Sequence, residues 1–197
     1  MLVASLASLL FLAVPPASSA GAQPAAPAVA LQQGPAASPQ LQKARQEMEK
    51  LAFLAGRWEG TATVMAPDGQ RQIRQSEEIR FKVGDTVLLI EGTGREGEGA
   101  DARVVFEALA VIAWDPQTNG YAMRAFTERG HVNPKVVVGE NELTWSFDTP
   151  DGAGKVRYQI TLDEQGRWRE IGEFSRDGGE TWMKTIDMTL TRVPEPT

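Results

Sequence analysis

Hydrophobic and polar residues alternate with a period of two from Arg57 to the end of the chain. Turn sequences rich in glycine, aspartate and proline interrupt this alternation at short intervals, for example at 67–69, 84–85 and 177–179. This pattern is typical of short strands joined by tight turns, and such strands pair as antiparallel neighbours. A long meander of strands closes on itself or leaves aggregation-prone edges. We therefore expect an all-β fold, an antiparallel up-and-down β-barrel of about ten strands.

The residues before the strands follow other patterns. Residues 1–22 contain an apolar stretch that ends in small residues, which is typical of a secretory signal peptide. Residues 23–39 are uncharged and rich in alanine and proline, which predicts a flexible linker. Residues 40–55 carry apolar side chains at helical spacing and predict one N-terminal helix, and 56–194 form the barrel. We expect a periplasmic or secreted protein.

Charged residues fix the expected register of the strands. A three-residue hairpin loop at 177–179 places Phe174 opposite Trp182 and Glu170 opposite Ile186. Three opposite-charge pairs then fall on the outer face, namely Arg169 with Asp187, Arg157 with Glu173, and Asp148 with Lys155. A slip of one residue in any of these hairpins would mix the buried and exposed sets and separate the charges.

The early strands obey the same alternation. A turn at 84–85 pairs Ile79 with Ile90, and the first strand then places Trp58 opposite Ile79. In this register Gln75 and Glu77 point into the barrel. The segment 104–114 is apolar on both faces, as expected for a strand whose outer surface is covered. The N-terminal helix either covers that surface or plugs one end of the barrel.

A barrel of about ten strands is too wide to be filled by most side chains, so a central cavity is expected. A few polar groups would lie there in an apolar cup, which is typical of small-molecule sites. The candidate ligand-binding residues are Gln75, Glu77, Arg124, Trp145, Tyr158, Trp168, Glu170, Trp182 and Lys184. The direction of Arg124 is left open, because an inward guanidinium would anchor an anion, whereas an outward one would pair with a surface carboxylate.

Three alternatives remain beside ligand binding. Glu170 and Lys184 lie diagonally across one hairpin and could form an internal ion pair without any ligand. Glu77 and Glu170 could act as paired carboxylates in an acid–base enzyme, although no nucleophile accompanies them. A barrel with a solid core would serve as a scaffold only.

Composition excludes several function classes. The 197 residues carry a net charge of −6, which opposes binding of nucleic acid or anionic lipid. No cysteine is present, and the single histidine, His131, cannot form a multi-histidine metal site. The apolar stretch near the start is too short to span a bilayer, so no stable membrane insertion is expected. No cofactor is predicted.

Three segments resemble the lipocalin-like barrels of the calycin superfamily: "FLAGRWEGTATV", "AVIAWDPQTNGYAMRAF" and "GRWREIGEFSRDGGETWMKTIDMTLTRV". The chain is more closely similar to a bacterial lipocalin-like domain family of unknown function, with nitrobindin as a distant cousin. The resemblance implies that Trp58 closes the barrel base beneath an arginine from the last strand, for which Arg192 is the candidate. It also implies a small, mostly apolar or amphipathic ligand in the lumen.

Departures from these families limit what the resemblance carries over. The helical lid of the fatty-acid-binding branch is replaced here by a short turn, and its Arg-x-Tyr motif reads Trp182-Met183-Lys184. Haem binding of the nitrobindin type needs a histidine late in the barrel, whereas His131 lies at a strand junction. A haem-binding barrel is a further alternative and would require His131 to turn inward. No family site residue can therefore be assigned, and an exported binding protein, rather than an enzyme, is the expectation.

Overall fold

Helix α1 (Pro39–Glu49) begins the described fold. Ser38 is its N-cap, because the Ser38 Oγ accepts a hydrogen bond from the backbone N–H of Leu41 at 3.2 Å. Pro39 occupies the first helical turn, where the missing backbone N–H costs nothing. A 3₁₀ helix (Ala52–Leu54) follows and leads into the first strand.

The computed structural model describes residues 38–66, 68–149 and 151–194. The predicted signal peptide (1–22) and nearly all of the predicted linker (23–39) lie outside the described residues. Within the described part, neither α1 nor any other helix has the length and apolar character needed to cross a membrane.

The described residues form eleven strands, and a second 3₁₀ helix (Gly99–Asp101) separates the third from the fourth. The strands are β1 (Gly56–Ala66), β2 (Gly69–Lys82), β3 (Val87–Glu96), β4 (Arg103–Asp115), β5 (Gly120–Thr127), β6 (Gly130–Val132), β7 (Lys135–Gly139), β8 (Glu142–Asp148), β9 (Lys155–Leu162), β10 (Trp168–Ser175) and β11 (Met183–Val193).

One antiparallel sheet contains all these strands in the order β6-β5-β4-β3-β2-β1-β11-β10-β9-β8-β7. The sheet curls into a half-barrel, and β5 contacts β7, so strands near the two ends of the order approach each other. The predicted all-β antiparallel class is confirmed. The strand number is eleven rather than about ten, and Pro134, which cannot donate to a ladder, separates the short β6 from β7.

The predicted register is confirmed between β8, β9 and β10. Arg157 lies opposite Glu173, and their side chains form an ion pair at 2.5 Å. Asp148 lies opposite Lys155, with the carboxylate 3.6 Å from the ammonium group. The β2–β3 pairing also follows the prediction, with Ile79 opposite Ile90.

The predicted β1–β2 register is wrong by two residues. Trp58 lies opposite Glu77 rather than Ile79, because β1 continues to Ala66 and β2 already starts at Gly69. A shift of two leaves every side chain on its own face of the sheet. Gln75 and Glu77 therefore still point inward, as predicted.

The β10–β11 register also differs from the prediction. Glu170 lies opposite Met188 rather than Ile186, because the connecting segment is longer than a three-residue loop. The pairing then shifts: Gly172 pairs with Ile186, but Glu173 pairs with Lys184, which leaves Thr185 as an extra residue in a β-bulge. The residues of β11 before Thr185 therefore lie on the opposite face from the one that simple alternation predicts.

Helix α1 closes one end of the half-barrel. Met48 and the two following leucines, Leu51 and Leu54, are fully buried in the same cluster as Trp58 and Ile112. The alternative prediction of an end plug is therefore correct. The outer surface of β4 is left partly uncovered, since Val104 and Leu109 are exposed there.

Trp58 is the centre of this closed end. Its Nε1–H donates to the carbonyl of Leu54 at 2.8 Å, and its ring meets Trp168 edge-on at 5.7 Å between centroids. The Arg192 guanidinium lies 4.1 Å from the Trp58 ring and donates to the carbonyls of Ala55 and Phe53. The predicted Trp58–Arg192 contact is confirmed.

Candidate functional site

Strand alternation sorts side chains onto two faces of the curled sheet. We call the inner face the concave face. Its members are identified by the alternation of residues along each strand and by which of those residues are buried. Its main members are Trp58, Ala62, Ile73, Gln75, Glu77, Ile79, Leu88, Ile90, Ala110, Ile112, Met123, Leu143, Trp145, Tyr158, Ile160, Trp168, Glu170, Ile186, Met188 and Leu190.

Six of the nine predicted ligand-binding residues lie on the concave face. They are Gln75, Glu77, Trp145, Tyr158, Trp168 and Glu170. The other three, Arg124, Trp182 and Lys184, lie on the convex side, and each position has a local structural cause.

The inward prediction for Lys184 is wrong because of the bulge at Thr185. Simple alternation from Ile186 would turn Lys184 inward, but the extra residue places it opposite Glu173 on the convex face. The Lys184 Nζ donates to the Asp187 carboxylate at 2.8 Å, and the side chain is about half exposed. An internal Glu170–Lys184 ion pair is therefore excluded.

Trp182 precedes β11 and packs on the convex side as well. Its ring lies 4.0 Å from the Arg157 guanidinium, and its Nε1–H donates to the Gly179 carbonyl at 3.0 Å. The prediction that Trp182 lines the lumen is wrong because the β-bulge at Thr185 reverses the alternation of the residues before it.

Arg124 also points outward, since its neighbours Met123 and Ala125 occupy the inward positions of β5. The Arg124 Nη2 lies 3.0 Å from the Nε2 of His131, which is itself exposed on β6. His131 does not turn toward the concave face, so the structure offers no support for the haem alternative. Among the described residues, no group of three or more metal-ligating side chains could hold a metal ion.

Gln75 and Glu77 form the first half of a polar cluster on the concave face. They are alternate residues of β2, and the Gln75 Nε2–H donates to Glu77 Oε1 at 2.7 Å. The strand opposite presents glycines to both: Gly94 faces Gln75, and Gly92 faces Glu77. A β-carbon at Gly92 would lie 2.7 Å from Glu77 Oε1, so the glycine leaves the space that the carboxylate occupies.

Glu170 forms the second half of the cluster, on β10. Its Oε2 accepts a hydrogen bond from the indole Nε1–H of Trp168 at 3.0 Å. Burial raises the pKa of Glu170 to about 8, and the negative charge of Glu77 adds to this shift. Burial likewise raises the pKa of Glu77 to about 7, against a smaller lowering by the Gln75 hydrogen bond. The two carboxyl groups are thus close enough to interact.

Neither carboxyl group has a lysine or arginine within ion-pair distance among the residues the structure describes. Arg192, directly opposite Trp58, is held by the carbonyls of Phe53 and Ala55. Both carboxyl groups lie deep in the protein, yet their side chains keep part of their surface accessible. Accessible surface on inward side chains is expected where they line an internal space rather than a packed core.

Aromatic rings form the wall beside Glu170. Tyr158 stacks on Trp145 at 4.1 Å between centroids, and Trp145 stacks on Phe147 at 5.9 Å. The pKa of Tyr158 rises to about 12, first through burial and then through the charge of Glu170. Gly172 faces Tyr158 across the ladder and gives its ring room to lie flat on the wall.

The sequence reasoning missed three residues of this cluster. Trp58 lies directly beside Glu77, which the two-residue register error concealed. Gly92 and Gly94 continue the inward alternation of Leu88 and Ile90 along β3, and that signal is present in the sequence. Glycine at two consecutive inward positions marks a place where another side chain needs space.

Substitution of Gly92 by alanine tests this packing. The new methyl group would displace the Glu77 carboxylate and break its 2.7 Å bond from Gln75. We expect the free energy of unfolding in urea to fall by about 1–3 kcal/mol. Gly120→Ala is the control, because a β-carbon there meets only ordinary contacts with Thr118. Equal losses in the two variants would contradict the cluster geometry.

Comparison with known proteins gives a likeness of fold only. No protein-family model matches the chain, and no curated protein does so. The crystal structure of Rv2717c from M. tuberculosis is similar with a TM-score of 0.53 and 13% sequence identity, over 80% of this chain and 99% of that one. This similarity supports the barrel-like antiparallel fold.

Proposed function

We propose that the protein binds a small, largely apolar molecule on its concave face, with the polar end of that molecule at Glu77 and Glu170. The observation that carries the proposal is a pair of interacting carboxyl groups without a cationic partner in an aromatic-walled, partly accessible space. Small-molecule sites have this composition, with a few convergent polar groups in an apolar cavity.

The chemistry of the cluster selects the polar end of the ligand. Both carboxyl groups are partly protonated near neutral pH, and a bound cation would favour their charged form, whereas an acidic ligand would find no positive charge beside them. An alkyl amine or alcohol therefore matches the site better than a fatty acid does. This preference separates the protein from a binder of carboxylates.

The finer features of fold and location belong to the same proposal. We infer that β5 and β7 close the half-barrel into a lipocalin-like lumen, in keeping with their contact. The Trp58–Arg192 contact supports the relationship to the calycin barrels that the sequence motifs suggest. Export to the periplasm or beyond rests on the sequence of residues 1–22 alone.

Displacement of a neutral fluorescent probe, N-phenyl-1-naphthylamine, tests ligand preference. We expect dodecylamine and dodecanol to displace the probe at concentrations about tenfold lower than dodecanoate does. Glu170→Gln should reduce the advantage of the amine by about tenfold, since it removes one of the two carboxyl groups.

The control is Glu59→Gln, which removes an exposed carboxylate from the convex face of β1. This substitution should leave the affinities for dodecylamine, dodecanol and dodecanoate unchanged. Tighter binding of dodecanoate than of dodecylamine, or no displacement by any of the three, would contradict the proposal. Native mass spectrometry of protein from its own host then identifies a retained molecule.

A second candidate, acid–base catalysis, is favoured by one observation. The pKa values of Glu77 and Glu170 lie at about 7 and 8, where one group can donate and the other accept a proton near neutral pH. Metabolite profiling after incubation with a host extract tests it: a compound consumed by the native protein should persist with Glu77→Gln. Equal consumption by both proteins would rule these carboxyl groups out as catalysts.

A further inference from the structure

A second site lies on the opposite side of the sheet from the carboxyl cluster. A groove of about 470 Å³ runs over the convex face of β8 and β9 and is bordered by residues 178–182. Lys135, Ser146 and Arg157 contribute polar groups to its wall, and Trp182 contributes apolar surface. None of these polar side chains belongs to the concave face.

The polar groups of the groove stand in one row across three strands. Lys135 lies directly opposite Ser146, and Ser146 lies directly opposite Arg157. Neighbouring strands are about 4.8 Å apart, so the two basic residues start roughly 10 Å apart with a hydroxyl between them. The side chains of lysine and arginine are long enough to converge on one group held above Ser146.

The charges in and around the groove leave an excess of cations. The Arg157 Nε–H donates to the Glu173 carboxylate at 2.5 Å, and the Arg157 Cζ lies 4.0 Å from the centroid of the Trp182 ring. Lys155 lies 3.6 Å from Asp148, the acidic residue of the groove wall. Lys135 forms no ion pair with any carboxylate in the described part of the chain. Three cations thus face two carboxylates, Asp148 and Glu173, in a protein of net charge −6.

Trp182 gives the arginine a fixed position. Cation–π contact holds the guanidinium beside the indole, and the indole is itself anchored by its hydrogen bond to the Gly179 carbonyl. Arginine prepared in this way loses less conformational freedom when it binds an anion. The half-buried Trp182 ring leaves part of its apolar surface within the same groove.

We propose that this groove binds a small anion, with a phosphate or carboxylate between Lys135 and Arg157 and a flat apolar body against Trp182. The site is separate from the concave face and does not depend on the proposed function. Its ligand has the opposite charge preference to the ligand expected there.

Titration with phenyl phosphate, followed by the amide resonances of ¹⁵N-labelled protein, tests the site. We expect saturable shifts at Ser146, Gly178 and Gly179, and shifts several times smaller with benzyl alcohol, which lacks the charge. Lys135→Gln should weaken phenyl phosphate binding by about five- to tenfold, because it removes a charge-assisted hydrogen bond.

The matched control is Lys82→Gln, which removes the same charge from an exposed position at the end of β2. It should change the affinity less than twofold. Equal weakening by both variants would show nonspecific attraction and overturn the proposal. Shifts confined to resonances near Glu77 and Glu170, or no saturable shifts at all, would overturn it equally.

Discussion

Replacement of Trp58 by alanine is expected to lower the free energy of unfolding by about 3–5 kcal/mol. Trp58 is completely buried, meets Trp168 edge-on and donates a hydrogen bond to Leu54. Alanine would leave a cavity at the closed end of the half-barrel and remove the ring on which Arg192 rests. Urea denaturation followed by far-ultraviolet circular dichroism measures the loss.

Trp182→Ala is the matched control for this prediction. That tryptophan is partly exposed on the convex face, and its main contact is the Arg157 guanidinium. Its removal should cost less than about 1.5 kcal/mol. The assignment of Trp58 as the centre of the closed end would fail if the two variants lost the same stability.

The stability of the folded protein is expected to fall by several kcal/mol, and by at most about 7 kcal/mol, between pH 4.5 and 8. Glu77 and Glu170 have raised pKa values of about 7 and 8 in the folded protein, against 4.5 for an ordinary glutamate. The folded protein therefore binds more protons than the unfolded chain in this interval, and stability decreases as pH rises through it. Gln75, Tyr158 and Trp168 surround the pair without supplying a positive charge.

The doubly substituted variant Glu77→Gln/Glu170→Gln isolates this effect. Its stability should be nearly independent of pH over the same interval, and the variant should be more stable than the native protein at pH 8. Glu47 contributes in another range, since hydrogen bonds from Lys43 and Lys50 lower its pKa to about 2. That contribution is present above pH 4.5 and is lost as the pH falls toward 2. A native protein that gains stability from pH 5 to 8 would contradict the carboxyl pair.

Residue alternation was sufficient to predict most of the sheet. Opposite charges one strand apart, such as Arg157 and Glu173, have a strong preference for one register, and the structure has that register. The hairpin between β1 and β2 carries no such pair, so its turn length decided the register, and the prediction was wrong by two residues. A register error of two residues leaves each side chain on the same face of the sheet, which explains why Gln75 and Glu77 were placed correctly.

The convex position of Lys184 could not be read from the pattern. A β-bulge adds one residue to one strand only, and no glycine or proline at Thr185 marks it in the sequence. The long-range cluster around Glu77 and Glu170 was also beyond local pattern, because β2 and β10 are brought together by the curl of the whole sheet. Sequence reasoning therefore identified the two carboxyl groups but assigned Glu170 the wrong partner.

The extra residue in β11 has an effect larger than its size. If Thr185 paired with Glu173 instead of forming the bulge, strict alternation would turn Lys184 inward, opposite Phe174. The bulge thus keeps an ammonium group out of the inner chamber, and the charge of that chamber depends on how one strand accommodates one additional residue.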